Sequence, residues 1–255
     1  MPELQPMKDR VVFITGGNSG IGYETGLLFA AQGANVVVFS RRKKENIIAK
    51  SRFESFGVKC LAVQGDVTQE ESVKNGLEET LKTFGRLDYA FNNAGIEQKP
   101  TYLFQQEQED FQKIIDVNLK GVWLCMKYEI PLIAQSGGGA IVNHSSVSGI
   151  VASNMIAALA AAKHGVIGLT KAAALEYAEA KIRVNAICPA GVDTPMLSRI
   201  TGNNPAARKE VDAYHPLGRS ATAREIAEAV LWLCSPKSSF VTGHAMIIDG
   251  GASIR

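Results

Sequence analysis

Short apolar runs alternate with longer mixed segments along the whole chain. Val11-Val12-Phe13-Ile14 is the first, and runs at 34–39, 59–64, 87–91, 140–144, 182–188 and 245–249 follow. Runs this short, rich in Val and Ile and bounded by Gly, Asn or Asp, read as strands buried on both faces. The segments between them carry helical spacing, which predicts a helix through 24–30 and others over 43–56, 69–84, 107–135, 154–179 and 222–234. The last of these opens with Thr222 and Glu225 at capping-box spacing. In 107–135, Phe111, Ile114, Ile115, Val117, Leu119, Val122, Leu124 and Met126 cover much of the helix surface, which predicts burial on more than one side. Strands alternate with helices without linker or repeat. The fold class is therefore α/β, a single-domain Rossmann-type doubly wound parallel sheet spanning 1–255. Only 195–219 breaks the rhythm, with Pro195, Pro205, Pro216 and Gly202-Asn203-Asn204. This predicts a mobile substrate lid, with Met196, Leu197, Ile200, Tyr214 and Leu217 available to line an apolar pocket.

Composition narrows the function. Hydrophobic residues make up 46% of the 255, enough for a large core. A net charge of +2 gives no dedicated surface for nucleic acid or membrane, and no apolar run has the length of a membrane span. Residues 1–10 hold Pro2, Glu3, Pro6 and Asp9 and lack the apolar core of an export leader. Cys60, Cys125, Cys188 and Cys234 are far apart and form no paired ligand spacing, so no metal site is expected; free thiols suit a reducing cytoplasm. His164, His215 and His244 form no cluster and receive no role.

The first strand runs into Thr15-Gly16-Gly17-Asn18-Ser19-Gly20-Ile21-Gly22 and then a helix. Glycines at such a turn let the backbone approach a pyrophosphate, which rests on the N–H groups and positive end of the helix. A tight turn without ligand has the same local pattern. The second strand ends in Ser40-Arg41-Arg42. An acidic residue there would bind the ribose 2′-hydroxyl, whereas the planar fork of arginine suits a 2′-phosphate, so NADP(H) is expected over NAD(H). Asn18 and Ser19 add no second positive charge, and Lys43 and Lys44 read as a solvated run opening the next helix.

The spacing of Thr15, Gly16, Gly20 and Gly22, with Asn92-Asn93-Ala94-Gly95 further on, resembles the short-chain dehydrogenase/reductase family over about residues 8–251. The resemblance implies interconversion of a ketone and a secondary alcohol. It places Asp66 and Val67 at the adenine, although Asp66 or Thr68 also suits a helix cap, and Asn92, Ala94 and Gly95 at the ribose. It makes Asn118 the holder of a relay water; a core polar group bonded to backbone is the alternative. Ser146 would polarise the substrate carbonyl, with Ser145 the near miss. His144 shares the strand parity of Ser146, so it either borders the substrate or is a satisfied structural histidine. Lys163 would hold the ribose. Pro189, Gly191, Val192 and Thr194 would hold the nicotinamide amide, with Ala190 standing where the family has glycine. The helices at 107–135 and 154–179 would pair with a second copy, as a homotetramer or homodimer.

One family residue is missing. The catalytic tyrosine is due four residues before Lys163, and that position is Leu159. Residues at i and i+4 share a helix face, so the lysine charge would lower the phenol's pKa and let it serve as acid or base. Leucine has no proton to give. Three origins fit: an engineered replacement, a natural loss, or another donor such as His144, Lys163 or water. Retention of Asn118, Ser146 and Lys163 favours the first. Outside the family reading stand a catalytically silent cofactor-binding or scaffold subunit and a serine hydrolase; the latter lacks a Gly-x-Ser-x-Gly elbow.

Overall fold

A computed structural model of the protein describes residues 7–255. Residues 1–6, part of the stretch read as lacking a leader's apolar core, lie outside the described residues. Strands β1 (Val11–Thr15), β2 (Asn35–Ser40), β3 (Cys60–Gln64), β4 (Tyr89–Asn92), β5 (Gly139–His144), β6 (Ile182–Pro189) and β9 (Ala245–Ile248) form one sheet in the order β3-β2-β1-β4-β5-β6-β9. Every pairing is parallel, as the alternation with helices requires.

Side chains alternate between two buried layers because successive residues of a strand face opposite ways. Val12, Ile14, Val36, Val38 and Val142 pack beneath α1 (Gly20–Ala31), α2 (Lys43–Glu54) and α9 (Ala223–Cys234). Val11, Phe13, Val37, Phe39 and Ile141 pack against α3 (Glu70–Phe84), α5 (Gly121–Gln135) and α6 (Ala157–Glu176). The apolar strands are continuous because both layers are dry. The capping box of Thr222 and Glu225 forms as expected.

Three elements differ from the sequence reading. The helix expected over 107–135 is α4 (Gln108–Ile115), a π turn (Asp116–Lys120) and α5. The fourth strand begins at Tyr89 rather than Leu87. Asp88 instead turns its carboxylate onto Arg10, Arg86 and the Val11 N–H. Residues 195–219 hold two short helices, α7 (Pro195–Ile200) and α8 (Pro205–Ala213). Each starts with proline and is capped by a side chain, from Thr194 and from Asn204. A two-stranded pair, β7 (Val192–Asp193) with β8 (Ala221–Thr222), closes this segment on the body. Among the described residues no helix is long and apolar enough to cross a membrane.

Candidate active site

The strand order reverses direction between β1 and β4, and in open sheets of this kind ligands bind at such a point, in the crevice outside the carboxyl ends of the strands. The glycine loop enters this crevice from β1. Gly16 and Gly20 have φ of +65° and +52°, conformations a side chain rarely adopts. A Cβ on Gly20 would stand 3.1 Å from the Thr194 methyl, so the loop and the segment after β6 meet closely here. No side chain caps the N-terminus of α1 and no acidic residue lies in its first turn. Its free N–H groups and positive dipole end suit an anion.

Sequence reasoning missed the residues that brace this loop. The Thr15 hydroxyl accepts from the Asn93 and Ala94 N–H groups, both at 2.9 Å, fixing the turn after β4. The Asn93 amide donates to Thr15 O at 3.0 Å and fills the space a side chain at Gly22 would need. Asn46 of α2 accepts from Asn18 Nδ2 at 2.7 Å and from Ser40 Oγ at 2.6 Å. Arg42 reaches Asn18 Oδ1 at 3.1 Å, so this cation is held over the glycine loop. Arg41 is exposed beside it.

Asp66 does not cap α3, nor does Thr68; its Oδ1 accepts the Thr68 N–H and hydroxyl, each at 2.9 Å, in a local turn. Val67 is buried and packs where Gly121 leaves no Cβ. The Asn92 side chain turns into the core, bonded to Glu129 and Asn143, and leaves its backbone for the close approach expected of this segment. Gly95 lies under Asn118, whose Oδ1 a Cβ would meet at 2.9 Å. The Asn118 amide is spent on backbone: it accepts from Ile96 N and donates to Ile96 O and Ile114 O. It thereby joins the π turn to the loop after β4, the core-polar alternative in the sequence reading.

At the end of β5 the two serines separate. Ser145 is buried and donates to Lys163 O at 2.8 Å, locking α6 to the strand. The Ser146 hydroxyl accepts from Ser148 N at 3.1 Å and points toward Pro189 O at 3.5 Å. Lys163 is buried, donates from Nζ to His144 O at 2.6 Å, and is held down at about 8 by burial. Burial and the Lys163 charge push the His144 imidazole down to about 3. It is neutral at ordinary pH, its Nδ1 proton assigned to Asn93 Oδ1 at 3.1 Å and its ring stacked on Phe91. That arrangement is the structural histidine and offers no acid. Leu159 stands one turn before Lys163 and packs on the cluster of Ile114, Ala158 and Ala162, beside Ile96 and Leu119. Its N–H donates to Gln98 Oε1 at 2.9 Å.

Over the substrate side, His215 accepts the Gly191 N–H at 3.0 Å and contacts Val211 O at 2.9 Å, so it ties the Pro189–Thr194 segment to α8. Val192 is buried and Met196 is half-buried on α7. Tyr214 follows α8 and is exposed, with the Arg255 guanidinium 4.1 Å over its ring. Arg199 of α7 grips Glu97 through both carboxylate oxygens, at 2.7 and 3.1 Å. This pair joins the candidate lid to the loop after β4. Because both partners are partly exposed, the contact is worth roughly 1 kcal/mol or less. Arg199→Ala is accordingly expected to raise the substrate KM by about two- to fivefold with kcat little changed. An unchanged KM would remove α7 from the substrate path.

The arrangement combines a glycine cradle at a helix N-terminus with a polar cleft holding Ser146 and Lys163. The uncapped N–H groups of α1, reached over a glycine turn without a Cβ at Gly20, fit the pyrophosphate of a dinucleotide. Among the described residues no group of three His, Cys, Asp or Glu is placed to hold a metal, and the four cysteines are buried free thiols.

Comparison with known proteins points the same way. Residues 16–253 match the family described as enoyl-(acyl carrier protein) reductase. The chain is 40% identical over 251 residues to 2,5-dichloro-2,5-cyclohexadiene-1,4-diol dehydrogenase of Sphingobium indicum, covering 97% of this chain and 98% of that one. It is 40% identical to cyclohexanol dehydrogenase of an Acinetobacter strain, covering 95% and 94%. The crystal structure of carveol dehydrogenase from Mycobacterium avium in complex with NAD superposes with a TM-score of 0.94 at 29% identity, covering 98% and 99%.

Proposed function

Since the chain belongs to the short-chain dehydrogenase/reductase family of oxidoreductases, we propose that it interconverts a secondary alcohol and a ketone using NADP(H). Two relatives are named for alcohols on a six-membered ring, so a cyclic substrate is the first class to try. The observation that carries the reading is the cradle of Gly16 and Gly20 set against Thr194, with Ser146 and Lys163 in the same cleft.

A nicotinamide held there would supply the hydride chemistry. Ser146 would orient the carbonyl oxygen by hydrogen bonding, and Lys163 would hold the ribose. Asn118, through its bonds to Ile96, keeps the cleft wall in place, and the π turn around it is a site where a relay water would bind. Pro189, Gly191, Val192 and Thr194 would hold the amide. At position 159 no group donates the proton that a new alkoxide needs, so turnover by this chain is impaired. A second reading is favoured by one observation. Leu159 is half-buried and packs against an apolar cluster, as suits a cofactor-binding subunit without catalysis.

The preference for NADP(H) rests on Arg42, oriented by Asn18, and Arg41. The NAD-bound neighbour argues for testing both cofactors. Arg42→Glu is expected to weaken NADPH by about 10- to 100-fold, the worth of ~1.5–3 kcal/mol for a hydrogen bond to a charged group, and to leave NADH nearly unchanged. Equal losses for both would refute the assignment. Exposed Phe111 and Trp123 on α4 and α5 support assembly with further copies, as a dimer or tetramer, which sedimentation would decide. Residence in the cytoplasm is proposed from the buried thiols.

A further inference from the structure

Glu129 of α5 is fully buried, and its carboxylate meets the Asn92 amide: Nδ2 donates to Oε2 at 2.9 Å. The same Nδ2 also donates to Asn143 Oδ1 at 3.0 Å, and Asn143 Nδ2 donates to Thr170 Oγ1 at 3.0 Å. The network thus joins α5, β4, β5 and α6. Two atoms in it have no partner among the described residues, Asn92 Oδ1 and Glu129 Oε1. Both are acceptors as long as Glu129 is ionised. Leaving even one such atom unsatisfied in a core costs about 1–3 kcal/mol. A proton on Oε1 would make that oxygen a donor, and Asn92 Oδ1, on the amide already bonded to Oε2, is the unpartnered acceptor of the network.

We propose that Glu129 is a neutral carboxylic acid forming a cyclic acid–amide pair with Asn92, and that this pair positions the end of β4 from which the cofactor turn departs. Asn92 is followed directly by Asn93 and Ala94, the residues held by Thr15 in the glycine loop. Asn143 stands two residues before Ser145, on β5, the strand that runs into Ser145 and Ser146. Among the described residues no cation acts on Glu129. From β4 it meets Asn92, and Asn143 and Thr170 extend the network on β5 and α6; its titratable neighbour is the buried thiol of Cys125, a turn away on its own helix. Burial accordingly pushes the carboxyl up from 4.5 to about 8. Glu129 is a positioning residue; its effect on cofactor binding rests on the dinucleotide reading above, while its protonation does not.

The sign of the linkage follows. The folded chain keeps the Glu129 proton between about pH 4.5 and 8, where the unfolded chain has lost it. Stability from this group is therefore full below pH 4.5, falls through that window and is level above it. Glu129→Gln copies the neutral acid: its amide donates to Asn92 Oδ1 and accepts from Nδ2. The thermal midpoint of E129Q should draw ahead of the parent from pH 5 to 8, by about 5 °C or more in total, and the gap should then stay constant. Comparing the two chains cancels Lys163 and every other titrating group. Infrared spectra of the parent at pH 6 should show a protonated buried carboxyl that fades as pH passes about 8 and is missing in E129Q. The dinucleotide affinity of the parent should weaken more across this range than that of E129Q, the change due to Lys163 being common to both.

A pH-independent gap, or no protonated carboxyl at pH 6, would overturn the neutral acid. Should E129Q fail to fold, the infrared titration of the parent decides alone. Parallel pH profiles of cofactor binding in the two chains, with the infrared change present, would overturn the positioning role. Loss of cofactor binding by both at every pH would count against the dinucleotide reading instead.

Discussion

Leu159→Tyr is expected to raise kcat/KM for ketone reduction by about 10²- to 10⁴-fold, the usual worth of a positioned acid or base. The reasons lie in the first turns of α6. Position 159 is four residues before Lys163, so the two side chains share a face of the helix. Lys163 is buried and held by His144 O. A phenol beside that ammonium would have its pKa lowered, since the charge favours phenolate. Two neighbouring groups do not fill the role: His144 is neutral with its proton given to Asn93, and Ser145 is committed to Lys163 O. The helix backbone is independent of the change, because Gln98 caps it through the Leu159 N–H rather than the side chain. Steady-state rates on cyclic ketones with NADPH test this. Equal rates in parent and variant would show that position 159 is not the acid position.

Gly20→Val is expected to weaken NADPH and NADH alike by roughly 10²-fold or more. Gly20 has a φ of +52°, where a side chain costs about 1–2 kcal/mol in the left-handed region, and a β-branched one more. The added Cβ would also press on the Thr194 methyl at 3.1 Å. The two segments would have to part at the N-terminus of α1, where the phosphates are proposed to rest. The sheet does not depend on this residue, so circular dichroism should remain that of the parent while fluorescence titration loses cofactor binding. Undiminished binding by a folded variant would place the phosphates elsewhere.

The strands were legible because each is dry on both faces: Val11 through Ile14 needs no partner to declare itself apolar. The glycine loop was legible for a related reason, since a tight turn restricts which residues fit locally. What the sequence hid depends on neighbours far along the chain. Asn46 holds Asn18 from 28 residues away, and Thr15 holds Asn93 from 78. His215 sits among unremarkable residues until the fold brings it to Gly191. Asn92 carries the family pattern, yet strand parity turns its amide to Glu129, whose place on α5 looks like any surface glutamate. The π turn around Asn118 cannot be read from helical spacing, because the apolar rows run through it unbroken. The lid helices were missed because their short apolar rows carry little periodicity, while their proline and cap signals were present in Thr194-Pro195 and Asn204-Pro205.

The central claim is that the crevice holds a nicotinamide dinucleotide while the acid position beside it lacks a proton donor. Calorimetric titration of the parent and of Leu159→Tyr with NADPH tests it most directly. The structure predicts saturable binding of one dinucleotide per chain in both, with dissociation constants within about threefold, since the cradle at Gly16, Gly20 and Arg42 is untouched by position 159. Absence of binding by the parent, with the variant also silent, would contradict it.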